Sequence, residues 1–126
     1  MTFLTIEQIL QLHSLVIQKT GGSDGVRDMG RLQSAVATQQ QEVFGQELYP
    51  SLYDKAAALI RAIIADHAFV DGNKRTGMLA GLTLMEVNGV RSKITEGALE
   101  DFAVQVAVEH MEVVAIAEWL QEHSSG

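Results

Sequence analysis

The chain has 126 residues, is 47% hydrophobic and contains one proline, which suits a single domain able to bury about two thirds of its unfolded surface. A formal net charge of −7 disfavours nonspecific nucleic-acid binding, which cationic surface drives. The absence of cysteine excludes disulfides and thiolate zinc sites, and no apolar run reaches the roughly eighteen residues that a membrane span needs. Met1-Thr2-Phe3-Leu4 lacks a charged leader region, so a cytoplasmic protein is expected, without low-complexity tracts apart from the terminal Ser124-Ser125-Gly126.

The predicted elements are almost all helical. Thr5 with Gln8 is a capping-box signature, and Ile6, Ile9, Leu10, Leu12, His13, Val16 and Ile17 mark an amphipathic helix that stops at Gly21-Gly22. Asp28 caps a second helix from about Met29 to Gln40, with Leu32, Ala35 and Val36 facing inward. Gln41 to Tyr49 shows no helical stripe, and Pro50 is expected in the first turn of a third helix that runs on through the apolar stretch Leu52 to Ile64. A fourth, buried helix includes Met78 to Val87 and ends at Asn88-Gly89, with a short extended piece over Val90 to Ile94. From Thr95, Leu99, Phe102, Ala103 and Val106 line a fifth helix, and Val113, Ile116, Ala117 and Leu120 line a sixth. Periodicity alone also permits one helix from Glu96 to Gln121.

Between the third and fourth helices lies His67-Ala-Phe-Val-Asp-Gly-Asn-Lys-Arg-Thr76, where polar groups that packing does not require are crowded together. Gly72 suits a tight turn and close ligand approach. Asn73 can cap the next helix or give its amide to a ligand. The first amides of that helix, with Lys74 and Arg75 beside them, make an anion site, and Arg75 can clamp a phosphate in bidentate fashion. Asp71 would oppose the anion unless a cation lay between, and Mg²⁺ prefers one or two carboxylates plus phosphate oxygens. The His67 imidazole can take a proton near neutral pH as a hydroxyl attacks phosphorus. The other histidines are expected to be structural: His13 partly buried or on the surface, His110 and His123 facing solvent. Arg27-Asp28 reads as a capping and ion-pair unit, Thr76 as bonding its own helix start, and Met78 and Met85 as core.

The segment resembles the active-site motif of the Fic/Doc (Fido) family, HxFx(D/E)GNGRxxR, at His67, Phe69, Asp71, Gly72, Asn73 and Arg75. Lys74 replaces the second glycine and Met78 the final arginine, while the order His-x-Phe-x-Asp-x-Asn-Lys-Arg-Thr resembles the death-on-curing (Doc) branch; Gly21-Gly22, Gly25-Val26-Arg27-Asp28, Phe44-Gly45, Leu48-Tyr49-Pro50, Ala56-Ala57-Ala58 and Glu86-Val87-Asn88-Gly89 extend the likeness. The resemblance implies an all-α Fido bundle of about six helices over residues 1–126, with a break near Glu109 to Met111 and a target-holding flap at Gln41 to Tyr49 between helices 2 and 3. It implies His67 as base, Phe69 as packing anchor, Asp71 as magnesium carboxylate, and Gly72, Asn73, Lys74 and Arg75 around the nucleotide phosphates. It further implies a toxin that moves the γ-phosphoryl group of ATP to a Ser/Thr hydroxyl of a target protein resembling elongation factor Tu and is silenced by a cognate antitoxin. AMP transfer, or a binding module without turnover, are the alternatives. Ser92 to Gly97 also fits the inhibitory pattern (S/T)xxxE(G/N) of self-inhibited Fic proteins. Its expected place in a loop argues for coincidence.

Overall fold

Residues 1–125 are described by a computed structural model. Six α-helices are present among them: α1 (Ile6–Thr20), α2 (Met29–Ala37), α3 (Leu52–Asp66), α4 (Asn73–Val87), α5 (Glu96–Glu109) and α6 (Val113–Glu122). Local side chains set most of the starts. The Thr5 hydroxyl accepts from Gln8 N–H while the Gln8 side chain accepts from Thr5 N–H, and Asp28, Ser51 and Thr95 cap α2, α3 and α5 in the same N-cap position. Pro50 therefore precedes the cap instead of standing in the first turn as expected, because the Ser51 hydroxyl takes the Asp54 N–H. The second helix ends at Ala37 and tightens into a 3-10 turn over Thr38–Gln40.

The connection between α2 and α3 is a β-hairpin, β1 (Glu42–Val43) against β2 (Gln46–Glu47). Phe44 and Gly45 turn it with positive φ at both residues (52° and 78°), the backbone of a tight reversal matched to strand twist. Its base is tied inward by Lys55, whose buried ammonium donates to the Gln39 carbonyl at 3.1 Å and to Glu47 Oε1 at 3.2 Å. Near the other end β3 (Arg91–Ser92) pairs antiparallel with β4 (Ser124–Ser125), so these serines close onto the α4–α5 connection. Gly126 lies outside the described residues. The expected break between α5 and α6 is present, with His110 in the left-handed region at φ 51°.

At the centre, α3 packs against α4, α6 and α2, burying Leu59, Ile60, Ile63 and Ile64, while α4 also meets α5 and α1. The approach of α3 to α4 depends on two helical glycines: a Cβ on Gly81 would stand 2.4 Å from Ile60 Cγ1 and Cδ1, and one on Gly77 would stand 2.8 Å from Ile64 Cγ1. Phe102, Trp119 and His123 stack in sequence beside the core, which makes His123 half-buried rather than solvent-facing. No helix among the described residues is long and apolar enough to cross a membrane.

Candidate active site

The α3–α4 crossing fixes where the polar motif falls, because His67 ends α3 and Gly72 begins α4. His67 is exposed and takes the left-handed conformation (φ 49°, ψ 51°), which histidine tolerates better than bulky or β-branched residues. Gly72 has φ 78° and ψ 17°, as expected for the turn, and no side chain caps α4. The leading amides of α4 therefore have no side-chain cap and lie next to exposed Lys74.

The intervening loop is over-determined by contacts with no local sequence signal. Phe69, fully buried, stacks on the His13 ring with centroids 3.8 Å apart. His13 is itself only 1% exposed, a correction to its expected position. Its Nε2 lies 2.8 Å from the Asp71 carbonyl, which can only accept, so Nε2–H is the donor, and its Nδ1 lies 3.4 Å from Asp24 Oδ1. Asn73 neither caps α4 nor points its amide outward. Its Oδ1 accepts from Phe69 N–H at 3.0 Å and its Nδ2 donates to the Phe69 carbonyl at 2.9 Å. Residues 25–28 brace the loop from outside: Val70 N–H donates to the Gly25 carbonyl, and Arg27 and Asp28 N–H both donate to the Ala68 carbonyl. Asp28 caps α2 and pairs with Arg31, not with Arg27. Thr76 is buried with its hydroxyl unpartnered among the described residues, so it does not bond its own helix start.

Asp71 is exposed, and one carboxylate oxygen, Oδ2, accepts from Ser23 N–H at 2.8 Å. Among the described residues no cluster of three or more His, Cys, Asp or Glu could hold a metal alone. Asp71 could therefore serve a cation only as one ligand among several, the way Mg²⁺ is commonly bound through one or two carboxylates.

Arg75 is held by two glutamates of α5, Nη1 to Glu100 Oε1 at 2.6 Å and Nη2 to Glu96 Oε1 at 2.9 Å, and Glu96 Oε1 also accepts from Lys19 Nζ at 2.9 Å. Glu96 thus opens α5 and touches the motif, whereas its inhibitory-pattern match was expected to be a loop coincidence. A phosphate clamped by both Arg75 Nη groups would compete with these carboxylates. The Lys19 hydrogen bond and charge, followed by the Arg75 charge, hold the Glu96 carboxyl below the ordinary glutamate range. A depressed folded-state value means that the pairing stabilises above the unfolded value and is lost only as pH falls through the lower one. The Glu96→Gln, Glu100→Gln double variant is accordingly expected to bind inorganic phosphate severalfold more tightly at neutral pH by calorimetry, and unchanged affinity would show that the pairs do not compete.

Two clefts share the motif. Gly72, Lys74 and Arg75 line one of about 250 Å³ with Leu99 and Val104 of α5, and His67 lines a smaller one of about 110 Å³ with Arg61, Met111 and His110. His110 is exposed, as expected, and it also lines this cleft, which no local pattern indicates because nothing in the sequence brings the ends of α3 and α5 together.

A mostly helical frame with this loop and this order of residues defines a Fic-type domain. Residues 3–85 match the model of the Fic/DOC family, and the chain belongs to that family. It is 39% identical over 117 residues to the protein named Toxin Doc of Mycolicibacterium smegmatis, covering 91% of this chain and 88% of that one. It is 29% identical over 121 residues to the protein named Protein kinase doc of Escherichia phage P1, covering 96% and 94%.

Proposed function

We propose that residues 1–126 form one Fic/Doc domain acting as the toxin of a toxin–antitoxin module, a phosphotransferase that moves the γ-phosphoryl group of ATP to a Ser/Thr hydroxyl of a target protein. The observation that carries the reading is the exposed His67 imidazole just ahead of an uncapped helix start flanked by Lys74 and Arg75. The names of the two relatives, a toxin and a protein kinase, support it.

In this mechanism the amides of Gly72 to Arg75, with the Lys74 and Arg75 side chains, hold the phosphate tail. Asn73 acts chiefly by clasping Phe69, which sets the loop that presents those amides. Asp71 would hold Mg²⁺, and the ion would offset the charge of the phosphates. His67 takes the hydroxyl proton as the acceptor oxygen bonds to the γ-phosphorus and the bond to the bridging oxygen breaks, releasing ADP. Such a transfer needs positioning and charge neutralisation more than covalent help. The β1–β2 hairpin, with open edges and Phe44 wholly exposed at its tip, is the flap for the target segment. A cognate antitoxin covers the cleft beside Arg75, and the target and antitoxin are met in the cytoplasm without nucleic acid.

Kinase outcome is favoured over AMP transfer because Met78, at the place of the family's last arginine, is wholly buried, so that clamp on the triphosphate is missing. Mass spectrometry of modified target separates them: a phosphoryl group adds about 80 Da and an adenylyl group about 329 Da. Asp71→Asn is expected to abolish Mg²⁺-dependent transfer yet stay folded, since an amide oxygen can still accept from Ser23 N–H. A normal rate with Mg²⁺ present would remove Asp71 from the metal role.

A further inference from the structure

We propose that the pocket between the C-terminal ends of α3 and α5 is a subsite for a small oxyanion, its natural occupant being a side-chain carboxylate of the target protein next to the acceptor hydroxyl. The identity of the occupant rests on the phosphotransferase reading; the anion preference rests on the pocket alone. Three basic side chains, Arg61, His67 and His110, line it, with Ile64, Val106 and Met111 as apolar wall and no carboxylate among the lining residues. In a chain of net charge −7 that local composition runs against the whole. At about 110 Å³ it is less than half the size of the 250 Å³ cleft beside Arg75, and none of Gly72, Lys74 and Arg75 reaches it. The phosphate tail and the pocket therefore lie in different clefts, and the residue that must meet the acceptor, His67, belongs to this one.

One donor is positioned in advance, while His67 and His110 enter the pocket from the C-terminal ends of α3 and α5. Arg61 Nε donates to the Met111 carbonyl at 3.1 Å, which fixes the guanidinium plane and leaves its outer edge for another acceptor. The carboxylate that approaches it, Glu112, stays 3.7 Å away and is 78% exposed, a loose pair that a better-placed carboxylate displaces. A planar guanidinium with an adjacent imidazole suits a two-oxygen acceptor. An acidic residue seated there would put a neighbouring hydroxyl beside the His67 ring.

The test uses the full chain with labelled histidines and two synthetic peptides that differ only in Asp or Asn next to one threonine. Without nucleotide, the His110 ring resonances are expected to move saturably with the Asp peptide and on the order of tenfold more weakly with the Asn peptide. Arg61→Gln and His110→Asn should each erase the preference, and Arg61→Lys should keep part of it. Asparagine suits the left-handed backbone at position 110, and the melting curve checks that each variant is folded. Equal binding of the two peptides overturns the proposal, and so does a response to inorganic phosphate with none to the Asp peptide, which would mark a free-anion site. With ATP and Mg²⁺ added, acid-selective binding without phosphoryl transfer would sink the phosphotransferase reading while sparing the subsite. Transfer to both peptides at equal kcat/KM would do the reverse.

Discussion

His67→Asn will lower the rate of phosphoryl transfer by about 10²–10⁴-fold, the usual contribution of a positioned general base, while the fold survives. Asparagine is the informative replacement because it also accepts the left-handed conformation found at position 67, so loss of the imidazole is separated from backbone strain. The side chain is exposed, and its removal opens no core cavity. Phosphate-tail binding should persist, since the α4 amides, Lys74 and Arg75 are untouched; the variant should show lowered kcat with nearly unchanged ATP affinity. Full transfer activity in a folded His67→Asn protein would remove His67 as the base, whereas toxicity with no transfer by either protein would leave a noncatalytic binding module.

Gly81→Ala is expected to have the largest effect on stability. On helix propensity alone the change should stabilise α4 by about 1 kcal/mol. Packing opposes it: the new Cβ would lie 2.4 Å from two atoms of Ile60 and 3.1 Å from the Ala56 carbonyl oxygen, and neither neighbour can move freely, one being fully buried and the other backbone. Overpacking of this kind costs about 1–3 kcal/mol, or more when the backbone must shift, so a net loss of about 2 kcal/mol and a fall in Tm on the order of 5–10 °C are expected. Activity should fall as well, because α3 carries His67 at its end and α4 carries Lys74 and Arg75 at its start, so prying the helices apart misplaces the base relative to the anion site. An unchanged or raised Tm would show that the helices separate without penalty.

The helix order was legible because its signals are local. Thr5 with Gln8, Asp28 and Thr95 name their helix starts, Gly72 names the turn, and the apolar runs from Leu52 and through Met85 name the central pair. The motif residues were legible for the same reason: they lie within nine consecutive positions and needed no tertiary information to be brought near one another. What sequence reasoning missed comes from elsewhere in the chain. Nothing near His13 announces that Phe69 will stack on it, or that its ring will hold the Asp71 carbonyl from 58 positions away. The bracing of Ala68 and Val70 by residues 25–28 is backbone pairing, on which side-chain patterns are silent. Buried Lys55 reads as a surface residue until its partners, the Gln39 carbonyl and Glu47, are seen. The two-residue strands are too short for a period of two to register, and Phe44, an unusual residue for a positive φ, hides the turn that Gly45 completes. The Glu96 and Glu100 pairs with Arg75 required the packing of α5 on α4.

The central claim is that the γ-phosphoryl group, and not the nucleotide, is what leaves this site for the acceptor. Purified protein incubated with Mg²⁺, a cell extract and either γ- or α-labelled ATP tests it most directly. The account predicts one target band that takes up the γ label alone, and none in the His67→Asn variant. Entry of the α label into that band would contradict it.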